Sequence, residues 1–228
     1  MGNKNLIITI EREYGSGGRI VGRKLAEELG LHFYDDEILK MASEKSAVGE
    51  EFFRLADEKA GNNLFHRLAG AKKADVFGKP SLKGDVTSPD NLFKFQAMVM
   101  RELAEQEPCV FVGRAAGYVL DQDEEIENLV RIFVYADRVR RVQRVMEVDC
   151  ISEERAKKRI RKIENERKNY YKYFTGNDWK NMKNYDQYDP PRTGRDGGAD
   201  QGICEAARVY EVGENENNLS VMQAKNFS

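Results

Sequence analysis

The chain has 228 residues, 40% of them hydrophobic and 33% charged, which is enough for one sizeable hydrophobic core. Its formal net charge of −2 and pI of about 5.9 argue against a nucleic-acid or membrane-surface partner. Three widely spaced cysteines without a CxxC pair, and an N-terminus without a long apolar segment, argue against a zinc site, a signal peptide and a membrane span. Together these features predict a cytoplasmic globular protein.

Short apolar runs alternate with amphipathic patterns along the chain. The amphipathic segments Val21–Leu29 and Asn91–Ala104 repeat apolar residues at spacings of three and four, which predicts helices. Alternating strands and helices indicate a parallel sheet with helices on both faces, so the predicted fold class is α/β with three layers. The apolar runs that predict buried strands are Leu6–Ile10, Leu31–Tyr34, Cys109–Val112 and Leu129–Tyr135.

Three further segments differ from this core. Residues 44–90 begin with a helical pattern and become polar with several glycines and prolines, which predicts an insert or small subdomain. Residues 138–168 carry twelve Lys/Arg and six Asp/Glu on a helical pattern, and Ser152 is placed to cap a helix start. Residues 187–228 are rich in Pro, Gly, Asp and Asn, so this tail is predicted to be loop or disorder.

A glycine-rich segment, Gly15-Ser16-Gly17-Gly18, lies between the first predicted strand and the first predicted helix. Backbone amides in such a turn, together with a helix N-terminus, can bind phosphate. In the usual pattern GxxxxGK[ST], Arg12 would take the place of the first glycine and Gly18 that of the lysine. No hydroxyl follows Gly18, and Arg12 and Arg19 are the nearby cations that could replace the lysine. A plain strand-to-helix turn is the alternative interpretation.

Four segments, taken in order, resemble the cytidylate kinase-like family, whose members are related to the P-loop nucleoside monophosphate kinases. The resemblance covers roughly residues 6–186 and implies a P-loop α/β core, an insert at about 44–90 that binds the acceptor, and a basic helical lid at about 150–180. It also implies ATP, with Mg²⁺ carried by ATP, and a small-molecule phosphate acceptor as ligands. The segments are ITIEREYGSGGRIVGRKLAEELGLHFYDDEIL, CVFVGRAAGYVL, RIFVYADRVRRVQRVM and KNYYKYFTGNDW.

The resemblance also implies roles for individual residues. Asp35 and Arg114 match acceptor-binding positions, although Asp35 could instead cap a helix and Arg114 could form an ordinary salt bridge. The alternative for the lid arginines is that they form a solvent-exposed helix face, as runs of charged residues usually do. No protein ligand for a metal is assigned. The ATP phosphates are assigned to Arg12, Gly15, Ser16, Gly17, Gly18 and Arg19, the lid to Arg159, Arg161 and Arg167, and catalysis to Arg19, Arg161 and Arg167.

The chain departs from the family pattern at three places. The lysine and the hydroxyl of the phosphate loop are absent, and Val112 and Ala115 stand where family members carry acids beside the Gly-Arg element. After Asp186, two prolines at positions 190 and 191 argue against the central strand that the family has there. A change of reading frame near codon 186 would explain this tail, and sequencing of the gene would test it.

Two classes of function remain open at this point. The first is an enzyme that transfers the γ-phosphate of ATP to a nucleoside monophosphate such as CMP, or a kinase for another small molecule. The second is a catalytically weak or inactive module that binds or senses a nucleotide. The missing lysine, hydroxyl and acids favour the second, while the order of the loop, Arg114 and the basic helix favours the first. The sequence specifies no oligomeric state.

Overall fold

The computed structural model describes residues 5–61, 78–83 and 85–189. Its strands are β1 (Ile7–Arg12), β2 (His32–Tyr34), β3 (Cys109–Val112), β4 (Leu129–Val134) and β5 (Gln187–Asp189). They form one sheet in the order β2-β3-β1-β4-β5, and every neighbouring pair is parallel. The predicted α/β fold with a parallel sheet is therefore confirmed.

Two of the longest helices begin behind a serine that caps them. The helix after the basic segment starts behind Ser152, whose side chain accepts a hydrogen bond from the amide of Arg155, as predicted. The long helix before β3 starts with Pro89 behind the capping Ser88. The helices of the described residues are α1 (Gly18–Leu29), α2 (Glu37–Ser46), α3 (Glu50–Gly61), α4 (Pro89–Gln106), α5 (Ala116–Asp121), α6 (Arg138–Asp149) and α7 (Glu153–Thr175).

Side chains of the central strand alternate between two hydrophobic clusters, which makes the fold three-layered. Ile8 and Ile10 pack on one face of the sheet against Val21 and Leu25 of α1. Ile7 points to the other face, where a larger cluster contains buried residues of α2, α3, α4, α5 and α7. Because both faces are covered, β1 and β3 are buried along nearly their whole length rather than at alternate residues. Among the described residues, no helix combines the length and the apolar character needed to cross a membrane.

The sheet continues three residues beyond Asp186, as the edge strand β5. Asp186 anchors this edge, since its carboxylate accepts hydrogen bonds from the backbone amide of Arg131 at 2.9 Å and from its Nε and Nη2 at 3.1 and 2.8 Å. An edge strand needs ladder hydrogen bonds on one side only, so it tolerates the prolines that follow better than a central strand would. The predicted boundary at residue 186 stays a prediction, and residues 190–228 of the predicted tail lie outside the described residues.

The predicted insert and lid coincide with helices of this fold. Residues 44–90 include the end of α2, all of α3 and the first residues of α4, while residues 62–77 and 84 lie outside the described residues. The predicted lid, at about 150–180, consists mainly of α7. Its last turns are buried in the same cluster as α3 and α4. Whether these helices close over ligands stays a prediction.

Candidate functional site

A cavity of about 230 Å³ lies at the carboxyl ends of the strands. Ligands of open parallel α/β sheets bind in this position. Glu11, Arg12 and Arg114 reach it from the ends of β1 and β3, and the helices contribute Asp57 and Arg167. The remaining lining residues are Asp35, Asp36, Glu58, Val112, Glu166, Tyr170 and Tyr171. The cavity is therefore lined by charged side chains of both signs.

The glycine loop connects the cavity to α1. Gly15 and Gly17 have φ angles of 79° and 90°, in the left-handed region that glycine tolerates best. No described residue accepts a hydrogen bond from the amide of either glycine, whereas the amide of Gly18 donates to Ser16 Oγ at 3.3 Å. The outer side of the loop is held by Arg144 of α6, whose Nη1 donates to the Gly15 carbonyl at 2.8 Å. The loop thus presents two unused amides beside a helix N-terminus.

Arg12 is directed into the cavity from the end of β1. A Cβ added at Gly113 would lie only 1.9 Å from its Nη1, so this glycine makes room for the guanidinium. Its Nε is buried and has no hydrogen-bond partner among the described residues. Its Nη2 lies 3.8 Å from Asp35 Oδ1, a weak ion pair. Burial lowers the pKa of Arg12, with the charges of Glu11 and Asp35 opposing that effect. Arg12 is therefore a buried cation with little counter-charge.

The space beside Arg12 also explains the missing lysine. A Cβ added at Gly18 would lie 2.5 Å from the Cβ of Arg12 and 3.0 Å from its Cγ, closer than carbon atoms approach in proteins. A lysine at position 18 and an arginine at position 12 therefore exclude each other in this backbone. This chain has glycine at position 18, the first residue of α1, and a cation, Arg12, at the last residue of β1.

Arg167 lies next to Arg12. Its Nη1 donates to the carbonyl oxygen of Arg12 at 2.7 Å, and its guanidinium stacks on the ring of Tyr14 at 5.6 Å. No carboxylate of the described residues forms an ion pair with it. Burial first, and then the charge of Arg12, lower the pKa of Arg167 to about 9. Arg12 and Arg167 thus place two largely buried guanidinium groups on one cavity, and such groups are suited to bind a phosphate.

Asp35 and Arg19 form an ion pair at the edge of the cavity. Arg19 Nε lies 2.7 Å from Asp35 Oδ2, while the Arg19 side chain is 58% exposed. Asp35 does not cap α2, because the capping position belongs to Asp36, whose side chain makes no capping hydrogen bond. The alternative interpretation of Asp35 as a helix cap is therefore wrong. Arg19 is a surface residue, in contrast to the buried Arg12.

Arg114 stands on a strained turn after β3. Gly113, Arg114 and Ala115 have consecutive left-handed φ angles of 81°, 59° and 53°. The buried carboxylate of Glu11 stabilises this turn, since its Oε1 accepts a hydrogen bond from the Ala115 amide at 3.1 Å. Its Oε2 accepts from the indole of Trp179 at 3.0 Å. Glu11 thus connects the turn that carries Arg114 to the segment that follows α7.

The Glu11–Trp179 contact leads to a stability prediction. Trp179→Phe removes the only indole donor and leaves a buried carboxylate oxygen without its partner, so the free energy of unfolding should fall by about 1–3 kcal/mol. Glu11→Gln should also destabilise the fold, because its NH2 group would replace one of the two accepting oxygens and face an N–H donor. Urea unfolding of the two single variants and the double variant would measure the coupling between them. Fully additive losses would contradict a specific contact.

The carboxylates around Arg114 neutralise its charge. Its Nη1 donates to Asp57 Oδ2 of α3 and lies 3.5 Å from Gln96 Oε1, and its Nη2 lies 3.5 Å from Asp36 Oδ1. Burial alone would lower the pKa of Arg114, but the charges of Asp57 and Asp36 outweigh it and raise that pKa. The pKa of Arg114 is thus raised by neighbouring carboxylates, whereas that of Arg167 is lowered by burial.

The structure brings together Arg12, Asp35, Arg114 and Arg167 of the predicted site residues around one cavity. Two predicted lid residues lie elsewhere. Arg159 pairs with Asp149 at 2.8 Å, and Arg161 lines a separate pocket of about 110 Å³ between α6 and α7. Both side chains therefore lie on the side of α7 that faces α6. Their lid roles stay predictions. The roles assigned to the other residues also stay predictions.

Three residues that the sequence analysis did not assign also belong to the site: Glu11, Asp57 and Tyr170. Glu11 could have been found, since it is a charged residue in an otherwise apolar strand. Asp57 gives no such signal, because it is one of several acids on an amphipathic helix. The hydroxyl of Tyr170 is buried and lies close to Arg114 and Asp57. Its pKa is raised well above the usual value by burial and then by the charge of Asp57.

Among the solved structures that resemble this chain, one has a TM-score high enough to support the fold. A protein from Eubacterium ventriosum is 21% identical, with a TM-score of 0.62 over 92% of this chain and 100% of that chain. Shikimate kinase from Acinetobacter baumannii in complex with shikimate is 15% identical, with a TM-score of 0.41 over 94% and 97% of the two chains. Dephospho-CoA kinase from Campylobacter jejuni is 14% identical, with a TM-score of 0.35 over 91% and 96%.

No curated protein matches the chain. The family model of the cytidylate kinase-like family matches residues 7–188, from the start of β1 to the middle of β5. The match includes the glycine loop, and also Arg114 and the part of α7 that line the cavity. It supports a kinase-like, nucleotide-binding protein. The chain belongs to the cytidylate kinase-like family.

Proposed function

We propose that the chain is a phosphotransferase that transfers the γ-phosphoryl group of ATP to a nucleoside monophosphate such as CMP. The observation that carries this proposal is that two largely buried arginines, Arg12 and Arg167, line one cavity after a strand that leads into a glycine loop with unused amides. Phosphoryl transfer depends mainly on positioning and on positive charge around the transferring group. Such a pair supplies that charge, and it would act most strongly if the bound ligands exclude water from the site.

The elements of the site suggest a division of roles. In the proposal, the amides of Gly15 and Gly17 and the hydroxyl of Ser16 bind the donor phosphates, and Arg12 and Arg167 contact the transferring group. Arg114 binds the phosphate of the acceptor. An oxygen of that monophosphate, largely a dianion at neutral pH, attacks the γ-phosphorus. The bond to the bridging oxygen breaks, and ADP and a nucleoside diphosphate are the products.

Arg19 and Arg161 were assigned to catalysis from the sequence, and the proposal gives them smaller roles. Arg19 acts through Asp35, which it holds beside Arg12 at the rim of the cavity. Arg161 could reach ATP only if α7 moved relative to α6, because it lines the outer pocket between these helices.

The site is suited to Mg²⁺ that arrives with ATP. Mg²⁺ in kinases is usually held by one or two carboxylates together with phosphate oxygens and water. Among the described residues, no cluster of three or more His, Cys, Asp or Glu side chains could hold a metal by itself. Asp35 lines the cavity and is the carboxylate that would interact with metal-bound water, in competition with its ion pairs to Arg12 and Arg19. The metal would neutralise phosphate charge.

The test is ADP formation from Mg·ATP by the purified protein, with CMP, dCMP, UMP, AMP and GMP offered separately. ADP formed only in the presence of one monophosphate, together with the matching diphosphate, would support the proposal and identify the acceptor. The absence of acceptor-dependent ADP from protein shown to be folded by circular dichroism would contradict it. Protein in which Arg12 and Arg167 are both replaced by Gln is the control for a contaminating kinase.

A second candidate is a module that binds a nucleotide without turnover. It is favoured by one observation, the neutralisation of Arg114 by Asp57 and Asp36. This candidate predicts that ATP raises the melting temperature while no monophosphate leads to ADP. It would be excluded by turnover that depends on Arg12.

A further inference from the structure

The Asp57 carboxylate lies where an anion bound to Arg114 would lie. It accepts a hydrogen bond from Arg114 Nη1, and its second oxygen accepts from Gln96 Nε2 at 3.3 Å. Gln96 is 1% exposed and lies on α4, so a buried residue of a second helix fixes the orientation of Asp57. The side chains of Arg114 and Asp57 are only 16% and 20% exposed. Asp57, Gln96 and Arg114 therefore form an oriented, largely buried cluster.

A second carboxylate contributes less to this neutralisation. Asp36 Oδ1 lies 3.5 Å from Arg114 Nη2, but its side chain is 59% exposed and screened by water. Asp57 is thus the main partner of Arg114. An arginine paired with a buried carboxylate offers less attraction to an incoming anion than a free one, because the two anions repel each other and compete for the same donor.

We infer that Asp57 is a specificity-determining placeholder, an internal anion that occupies Arg114 until an anionic acceptor displaces it. This inference rests on the proposed role of Arg114 as the acceptor-binding residue. A neutral hydroxyl acceptor cannot compete with a carboxylate for a guanidinium, whereas a phosphate dianion can, because it carries more charge and more acceptor oxygens. The pair would thereby restrict acceptors to those with a phosphate or a comparable dianion.

The decisive variant is Asp57→Asn, which keeps the shape of the side chain and removes its charge. Binding of CMP and of inorganic phosphate is measured by isothermal titration calorimetry for wild type, Asp57→Asn, Arg114→Ala and the double variant. We expect Asp57→Asn to lower the Kd of CMP at least fivefold, and Arg114→Ala to cancel that gain in the double variant. The double variant is needed because Arg12 and Arg167 can also bind phosphate.

Glu51→Gln is the matched control, since it removes one exposed carboxylate from the same helix outside the cavity. We expect it to change the Kd of CMP less than twofold. Asp57→Ser serves as a second neutral variant, and thermal unfolding confirms that each protein is folded. A Kd that is unchanged or raised in both folded Asp57 variants would overturn the inference. A gain that persists without Arg114 would also overturn it, because it would reflect net charge alone.

The outcome is independent of whether phosphoryl transfer occurs. If Asp57→Asn tightens CMP binding through Arg114 but no monophosphate leads to ADP, the placeholder is supported and the proposed transferase activity fails. If transfer to CMP occurs and Asp57→Asn weakens CMP binding, the proposed function stands and Asp57 is instead a direct ligand of the acceptor.

Discussion

Replacing Arg12 by Gln is expected to reduce kcat/KM for phosphoryl transfer by about 10²–10³-fold, the loss typical for one preorganised donor to a developing charge. The same change should leave the free energy of unfolding unaltered or raise it. Arg12 has a buried Nε without a hydrogen-bond partner and lies beside a second buried cation, Arg167. Removing one of two such charges relieves both desolvation and repulsion. A residue whose loss reduces activity but not stability is one that the fold retains for its ligand.

Steady-state kinetics and thermal unfolding in phosphate-free buffer would measure these two effects. Arg23→Gln is the charge-matched control, because Arg23 is exposed and contacts the ring of Phe33 rather than the cavity. We expect it to keep kcat/KM within about threefold, as for most surface substitutions. Arg19→Gln should cost no more than about tenfold, since that side chain acts through the exposed pair with Asp35. A larger loss for Arg19 than for Arg12 would assign the role of the missing lysine to Arg19.

Gly18→Ala is expected to lower the free energy of unfolding by about 1–3 kcal/mol and to distort the phosphate loop. The added Cβ would meet the Cβ of Arg12 at 2.5 Å, and neither atom can rotate away because both are fixed to the backbone. Arg12→Gly removes the conflicting atoms, so the double variant should recover part of the loss, with a coupling energy of about 1–3 kcal/mol. Recovery is partial because the Cβ of Val134 would still lie 3.3 Å away.

Urea unfolding of the single and double variants measures this coupling. Gly22→Ala combined with Arg12→Gly is the control, because a Cβ at Gly22 would meet Ile10, Val112 and Phe33 instead of Arg12. That pair should be additive within about 0.5 kcal/mol. Equal coupling energies for the Gly18 and Gly22 pairs would show that Arg12→Gly makes the backbone generally more tolerant of an added Cβ. The steric explanation for the missing lysine would then fail. Gly18→Lys should fail in the wild-type background for the same reason as Gly18→Ala.

Much of the fold was predictable because its signals are local. Apolar runs predicted the central strands β1, β3 and β4 within one or two residues, since a strand buried on both faces needs a continuous apolar segment, and a fourth run predicted the edge strand β2. Ser152 was identified as a helix start from its own chemistry and its acidic neighbours. The edge strand β5 gave no such signal, because it is only three residues long, and the Arg131–Asp186 contact beside it joins residues 55 positions apart.

The candidate site was predictable only in part. The sequence by itself determined that a glycine loop follows the first strand, that the usual lysine is absent, and that Arg114 follows the third strand, because these features depend on residue order alone. Only the tertiary structure decided that Arg12 rather than Arg19 is buried in the cavity, and that Arg167 lies beside it while Arg161 does not. It also brought Asp57 to Arg114 across 57 positions and Trp179 to Glu11 across 168. Side chains so distant in the chain meet only through the packing of helices on the sheet, and that packing determines which charges are buried and which are neutralised.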